Sequence, residues 1–223
     1  MPSYPRGARV AFGVAAACLV LYPVLRPWSP EADPHTFAQA RWPVSHALGM
    51  AGFLALAVGL RALAAGEPPG WSGQPVRRAE SRAWMAVSGL LPYYGAEAFG
   101  LAAVGANALA HPGVDAAGIA ADFRYAPLPM TVFALGLIAL ALVGGRLIHR
   151  FWRMGTQLRT GGLLAGVGLL SYLPQFFGGM PVRIGHALVL GLGLALLATA
   201  RPRRSVLATP GPTPARTQSR SRM

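Results

Sequence analysis

The chain has 223 residues, of which 53% are hydrophobic and only 12% are charged, roughly half the charged fraction of about 25% found in soluble domains. Its 20 basic residues exceed the 7 acidic ones by 13, a balance that would suggest nucleic-acid binding if the charges were not confined to gaps between long apolar runs. Several of these runs approach the roughly 20 residues that cross a bilayer. This pattern excludes a soluble enzyme, a secreted disulfide scaffold and a disordered protein.

The types of basic residue and the single cysteine narrow the chemistry further. All basic side chains are arginine, because the sequence contains no lysine, so no side chain can form a Schiff base with retinal. Cys18 is the only cysteine, which excludes an intrachain disulfide. Because it lies within an apolar run, we expect it to be a small buried hydrophobe.

Apolar runs bounded by arginine or proline predict an all-α integral membrane protein with a bundle of six transmembrane helices. The expected spans are 8–25, 43–64, 83–110, 127–147, 161–177 and 182–200, within one transmembrane domain over 1–200. The polar stretch 66–82, which contains two consecutive prolines, is predicted to be a loop. Residues 201–223 are rich in Arg, Pro, Ser and Thr and are predicted to form a disordered basic tail.

The distribution of arginine predicts the orientation, since positively charged loops stay in the cytoplasm during insertion. In the six-span arrangement only Arg26, Arg41, Arg124 and Arg183 fall on the side opposite the termini. We therefore expect a multi-pass protein of the cell membrane with both termini cytoplasmic. The tail is expected to contact anionic lipid headgroups of the bilayer and no nucleic acid, because it lacks interleaved aromatic residues and a docking fold.

Two short helices are predicted in the outer loops. Asp33 followed by Pro34 has the order of an N-cap and a first-turn proline, which predicts a helix through about Gln39. A second helix is expected over 114–123. Such segments can act as lids over a cavity, or they can only satisfy the loop backbone at the membrane surface.

A weak internal repeat relates two inward-running helices. The His-Ala-Leu triplet at 46–48 aligns without gaps on 186–188, and the alignment reaches a shared Leu-Ala-Leu at 54–56 and 194–196. Each outward-running helix also carries a tyrosine beside a proline: Tyr22-Pro23, Pro92-Tyr93 and Tyr172-Leu173-Pro174. These regularities favour three stacked helical hairpins, an arrangement found in transporters and in inert scaffolds alike.

Glu97 is the main candidate site residue because it lies near the middle of the third predicted span. A carboxyl group at this depth is costly, so we expect it to face the bundle interior, protonated unless Arg183 or a protonated histidine reaches it. Helical spacing places Tyr93, Tyr94 and Asn107 on or beside the same face. The alternative is a structural glutamic acid that makes one hydrogen bond between helices.

Three other polar residues are expected about one turn below the outer surface, namely His46, Gln175 and His186. Together with Glu97 they are predicted to converge on one cavity in the outer half of the membrane. Arg183 and His186 lie three residues apart on one helical face and would suit an anion or a carboxylate. The alternatives are a boundary arginine that snorkels and histidines that bond neighbouring helices.

These residues leave four functions open. The first is a protein that binds or transports a small molecule or ion in an outward-facing intramembrane pocket centred on Glu97. The second is a membrane-embedded enzyme acting on an isoprenoid or lipid, with Glu97 as general acid and His46 or His186 as base. The third is haem or metal ligation by His46 and His186, which nothing in the sequence requires. The fourth is an accessory subunit without chemistry of its own, and oligomerisation is compatible with each.

Overall fold

The computed structural model describes residues 5–29, 33–67, 70 and 73–200, and these form helices joined by turns, with no strand among them. The predicted basic tail, 201–223, lies outside the described residues. The helices are α1 (Arg6–Leu25), α2 (Pro34–Ala38), α3 (Arg41–Ala65), α4 (Gln74–Gly95), α5 (Leu101–Ala110), α6 (Ala116–Tyr125), α7 (Pro127–Phe151), α8 (Thr156–Leu170) and α9 (Met180–Thr199). A π-helical turn, Ala96–Gly100, joins α4 to α5, and a 3-10 turn, Pro174–Phe177, precedes α9.

Four helices of the described chain, α1, α3, α7 and α9, are long and apolar enough to cross a membrane. The all-helical architecture and the membrane class predicted from the sequence therefore agree with the structure at this level. α4 is less apolar because it begins among arginines, and α8 has only 15 residues. Neither qualifies as a spanning helix by length and composition.

The long helices pack as a closed ring. α1 contacts α3, and the contacts continue in chain order through α4, α7, α8 and α9 before α9 returns to α1. Small residues allow the closest approach, since a Cβ atom on Gly89 of α4 would lie 2.7 Å from the Cα of Gly136 in α7. Phe12, Leu60, Leu90, Leu140 and Leu194 are among the residues buried inside the ring, where close van der Waals contact between helices favours the packed state.

The prediction of a loop over 66–82 is wrong from Gln74 onwards, where α4 begins. Val76, Ala79 and Ala83 follow one another at steps of three and four and are buried, so they form the inward face of an amphipathic turn. The intervening Arg77, Arg78 and Arg82 masked this periodicity in the sequence. The third helical segment is consequently longer than predicted at its start. The end of the ring at which α4 begins is called the inner end below, and the opposite end, where α2 and α6 lie, is called the outer end.

The two short helices predicted after Asp33 and over 114–123 are confirmed as helices, Pro34–Ala38 and Ala116–Tyr125. The Asp33 carboxylate accepts a hydrogen bond from the His35 N–H and caps α2, as its position before Pro34 predicted. Asp115 caps α6 in the same way through the Gly118 N–H. Both helices cover the outer end of α5, where Phe37, Trp42, Leu101, Ala116 and Ala120 form a separate buried cluster.

Candidate functional site

The backbone around Glu97 departs from α-helical geometry. The Leu101 N–H bonds to the carbonyl of Ala96, five residues earlier, whereas in an α-helix it would bond to the carbonyl of Glu97. The Glu97 carbonyl accepts the indole N–H of Trp42 instead, at 2.6 Å. The π turn thus frees a backbone acceptor that fixes α3 against the middle of the α4–α5 segment.

The Glu97 side chain is buried and paired. Arg124, the penultimate residue of α6, donates from Nε to Oε1 at 2.6 Å and from Nη2 to Oε2 at 2.9 Å. The Glu97 side chain is 6% exposed and the Arg124 side chain is 16% exposed. This two-point geometry is the strong form of the arginine–carboxylate pair. Arg124 is thus a partner that the sequence did not identify, whereas a histidine, which the prediction did name, lies next to the pair.

His46 lies against this pair from α3. Its Nε2 is 3.8 Å from Glu97 Oε2, and its Nδ1 donates to the carbonyl of Trp42 at 2.8 Å, since a carbonyl can only accept. The imidazole ring contacts Trp42 and Tyr22 at centroid distances of 4.6 and 5.4 Å. His46 and Glu97, two of the predicted site residues, are therefore brought together, with Trp42 and Arg124 as partners that the sequence did not reveal.

Three buried tyrosines form the centre of the outer half of the ring. Tyr22 and Tyr94 have ring centroids 5.4 Å apart, and the hydroxyls of Tyr94 and Tyr172 are 3.0 Å apart and hydrogen-bonded. Tyr22 and Tyr172 belong to the tyrosine–proline pairs that suggested a repeat, whereas in α4 the paired residue is Tyr93 and the central one is its neighbour Tyr94. Each of the three central tyrosines contacts a ring of a later long helix: Tyr22 with His46, Tyr94 with Phe133, and Tyr172 with His186.

The same tyrosines bear on the haem hypothesis. Tyr94 contacts the ring of His46 at 6.0 Å and hydrogen-bonds Tyr172, which contacts the ring of His186 at 5.6 Å. His186 is further bonded through Nε2 to the carbonyl of Gly168 at 2.7 Å. Because tyrosine rings fill the space between the two imidazoles, a planar porphyrin does not fit between them in this arrangement. Within the described ranges, no group of three or more His, Cys, Asp or Glu side chains lies together.

A narrow cleft lies on the other side of Tyr22, between α1, α9 and the 3-10 turn. Its water-accessible volume is about 10 Å³, close to the space that one water molecule needs. The polar residues that line it are Tyr22, Arg26, Tyr172, Gln175, Arg183 and His186. Among the described residues, no acidic side chain lines this cleft.

Gln175 is the notable residue of the cleft. It is only 8% exposed, yet its side-chain amide makes no hydrogen bond with any part of the chain that the structure describes. Arg183 beside it donates to the carbonyls of Gly178 and Phe176 at 3.1 and 2.9 Å. The amide reaches the cleft, and polar groups in such positions bond water or a ligand, so this one is available to either.

The predicted single cavity is therefore two adjoining groups. His46 and Glu97 lie in one, Gln175 and His186 in the other, and Tyr22 contacts both because it touches His46 and lines the cleft. Arg26 also connects them, since it donates to the Tyr22 hydroxyl at 3.0 Å and lies 4.8 Å from the centroid of the Trp42 ring.

Two predicted ligand-binding residues lie elsewhere. Tyr93 stacks on Phe133 at a centroid distance of 4.1 Å and contacts Phe123, so it packs α4 against α6 and α7. Asn107 is exposed on α5, because the π turn alters the helical phase on which its predicted position depended.

No protein-family model matches the chain, and comparisons with curated proteins and with solved structures found no match.

Proposed function

We propose that this chain is a six-span protein of the cell membrane that binds a small anion, such as a carboxylate, in the outer cleft beside Gln175. The proposal keeps an outward-facing polar pocket but moves its centre from Glu97 to the neighbouring cleft. It places both termini in the cytoplasm.

The packing of the ring supports the six-span arrangement. α4 packs between α3 and α7, and α8 packs between α7 and α9, so each lies between helices that are long and apolar enough to cross a membrane. α4, the π turn and α5 form one uninterrupted helical segment. An even number of spans returns both termini to one side, and the excess of arginine predicts that this side is the cytoplasm.

The unpaired amide of Gln175 is the observation on which the ligand rests. An amide N–H₂ group donates two hydrogen bonds, and the guanidinium groups of Arg26 and Arg183 line the same cleft. His186 also lines it, but its Nε2 already donates to the carbonyl of Gly168. A carboxylate accepts hydrogen bonds from each of these donor types. Because the space is close to that of one water molecule, we infer that one oxygen of the anion enters and that the rest of the ligand stays outside.

Glu97 has a supporting role in this proposal. Its pairing with Arg124 holds α6, and its carbonyl holds Trp42, on whose ring Arg26 of the cleft lies. The enzyme alternative gains no support from this geometry, because both carboxylate oxygens already accept hydrogen bonds from Arg124 and neither is free to protonate a substrate. The accessory-subunit alternative predicts no binding at all.

The cleft is tested by titrating the purified protein with acetate, lactate and chloride while its melting temperature is followed. We expect a saturable rise with at least one anion and none with trimethylammonium. Gln175→Leu keeps the side-chain volume but removes the amide, and should weaken binding about tenfold or more, in line with the loss of a hydrogen bond to a charged group. Gln39→Leu, at an exposed position beyond α2, is the matched control.

Equal binding by the Gln175→Leu and Gln39→Leu variants would place the ligand outside the cleft. If no anion changes the melting temperature of the wild type, the accessory-subunit alternative is favoured.

The orientation is tested by cysteine labelling in intact cells, on a Cys18→Ala background. Ser29→Cys and Asp115→Cys should react with a membrane-impermeant thiol reagent, whereas Gly155→Cys, in the exposed turn between α7 and α8, should react only after lysis. Labelling of Gly155→Cys in intact cells would reverse the proposed topology.

A further inference from the structure

One face of α7 is exposed along most of its length. The residues on it follow at steps of three and four, and they are Leu135, Ile138, Leu142, Gly145, His149 and, just beyond the helix, Trp152. Because α7 is a candidate membrane-spanning helix, the apolar half of this stripe faces lipid acyl chains. The stripe becomes polar only at its inner end, at His149.

A cavity of about 620 Å³ opens at that inner end. Gly145, His149, Arg150, Trp152 and Arg153 contribute to its lining, so the lipid-facing stripe runs directly into it. This cavity lies at the opposite end of the bundle from the cleft beside Gln175, and nothing in the proposed function uses it.

The positive charge around the cavity is mostly unneutralised. Arg146, His149 and Arg153 make no ion pair or side-chain hydrogen bond with any residue in the described parts of the chain. The same holds for the exposed indole N–H of Trp152. Arg150 differs, since it is paired with Glu67. Arg146 is next to the lining residue Gly145 but does not itself line the cavity. The cavity therefore presents one unpaired arginine, Arg153, and one unpaired histidine, His149, at the end of the apolar stripe.

We propose that this cavity binds the phosphate headgroup of one anionic phospholipid, with an acyl chain lying along Leu142, Ile138 and Leu135. Arg153 supplies the charge and His149 an N–H donor for the phosphate, and basic pockets at the cytoplasmic side favour anionic lipids. Trp152 provides the amphipathic ring that occupies the headgroup level. The continuous apolar stripe favours a lipid over a free phosphate, because a free phosphate has no acyl chain to contact it.

Gly145 gives a variant that closes the site without disturbing the fold. A Cβ atom added there meets no atom within 4 Å, and Gly145 lines the cavity, so a leucine side chain starts in open space and reduces the room for a ligand. Leucine is also a better helix former than glycine, which means that Gly145→Leu should melt at the same or a higher temperature without lipid. Gly185→Leu, at another open helical position in α9, is the matched control.

The binding is measured by native mass spectrometry on the full chain, delipidated in detergent and titrated with dioleoylphosphatidylglycerol or dioleoylphosphatidylcholine. We expect one phosphatidylglycerol per chain, bound at least tenfold more tightly than phosphatidylcholine. Gly145→Leu and the pair His149→Gln with Arg153→Gln should each weaken phosphatidylglycerol binding about tenfold, whereas Gly185→Leu and Arg159→Gln, an exposed arginine of α8, should leave it unchanged.

Three results would overturn the proposal. The first is equal affinity for the two lipids, and the second is wild-type retention of phosphatidylglycerol by Gly145→Leu. The third is competition by glycerol 3-phosphate at the same concentration as the lipid, which would assign the site to a soluble phosphate. Should a variant fail to fold, the lipid preference of the wild type and the competition arm still decide the question.

Discussion

The two ends of the helical ring each contain a buried ion pair, and the pairs differ in how they are built. At the outer end Glu97 and Arg124 form two hydrogen bonds, with His46 and Trp42 packed against them. At the inner end Glu67 pairs with Arg150 through a single nitrogen, and the Nε of Arg150 is buried without a hydrogen-bond partner in the described chain. The outer pair therefore fixes α6 against the α4–α5 segment through two hydrogen bonds, whereas the inner pair leaves one buried donor of Arg150 without an acceptor.

The largest expected effect comes from breaking the outer pair. Arg124→Leu leaves the Glu97 carboxylate buried without its cation, which we expect to cost roughly 3 to 4 kcal/mol of unfolding free energy. The double variant Glu97→Leu with Arg124→Leu should recover a large part of that loss, because no charge then stays buried alone. Unfolding by SDS titration in mixed micelles measures both, and purely additive costs would show that the two groups do not interact.

Breaking the inner pair should cost less, about 2 kcal/mol for Arg150→Leu. The substitution leaves Glu67, whose side chain is 4% exposed, without its cation, which is destabilising. It also removes the unsatisfied Nε of Arg150, which offsets part of that cost. The same SDS titration checks the value. A cost equal to that of Arg124→Leu would contradict the distinction between the two ends.

A third substitution sharpens the description of the outer end alone. Trp42→Phe removes the indole N–H, so the carbonyl of Glu97 loses its hydrogen-bond donor. We expect this to cost roughly 1 to 3 kcal/mol of unfolding free energy. Part of that cost is lost ring volume, so Phe37→Leu in the same buried cluster provides a reference. Amide hydrogen exchange should speed up at Leu101 in the Trp42 variant more than in the Phe37 variant.

The smallest effect is expected at an exposed pair near the inner end. Arg61 lies 3.5 Å from Glu80, but its side chain is 71% exposed, and such pairs contribute between about 0 and 1 kcal/mol. Arg61→Gln should therefore leave the SDS midpoint almost unchanged. A loss comparable to that of Arg150→Leu would mean that exposure does not separate the two inner pairs.

The sequence predicted those features that depend on residues close together along the chain. The caps at Asp33 and Asp115 act within three positions along the chain, and the short helices that they begin are confirmed. Glu97 was identifiable because a carboxyl group within an apolar run is rare and costly. The six-span orientation and the ligand stay predictions, since neither follows from the helices alone.

Contacts between distant segments were beyond such signals. Arg124 is 27 positions from Glu97 and reaches it only because α6 folds back onto the cluster around Phe37. Nothing in the residues Ala96–Gly100 marks a π turn, which depends on the Trp42 indole as an alternative donor. The separation of Gln175 from Glu97 likewise follows from the tyrosines between them, whose side-chain directions the sequence does not specify.

The π turn has one further consequence, which concerns chain length. A π turn is an α-helix that accommodates one extra residue, and each residue of an α-helix corresponds to roughly 100° of rotation. Removing one residue from Ala96–Gly100 should therefore restore an α-helix while α4 and α5 keep facing their present neighbours, whereas the same deletion in the middle of α3 would rotate half of that helix away from α1 and α4. The segment that carries Glu97 is thus a place where the gene can lose a codon and the ring can still close, although Trp42 would lose its acceptor.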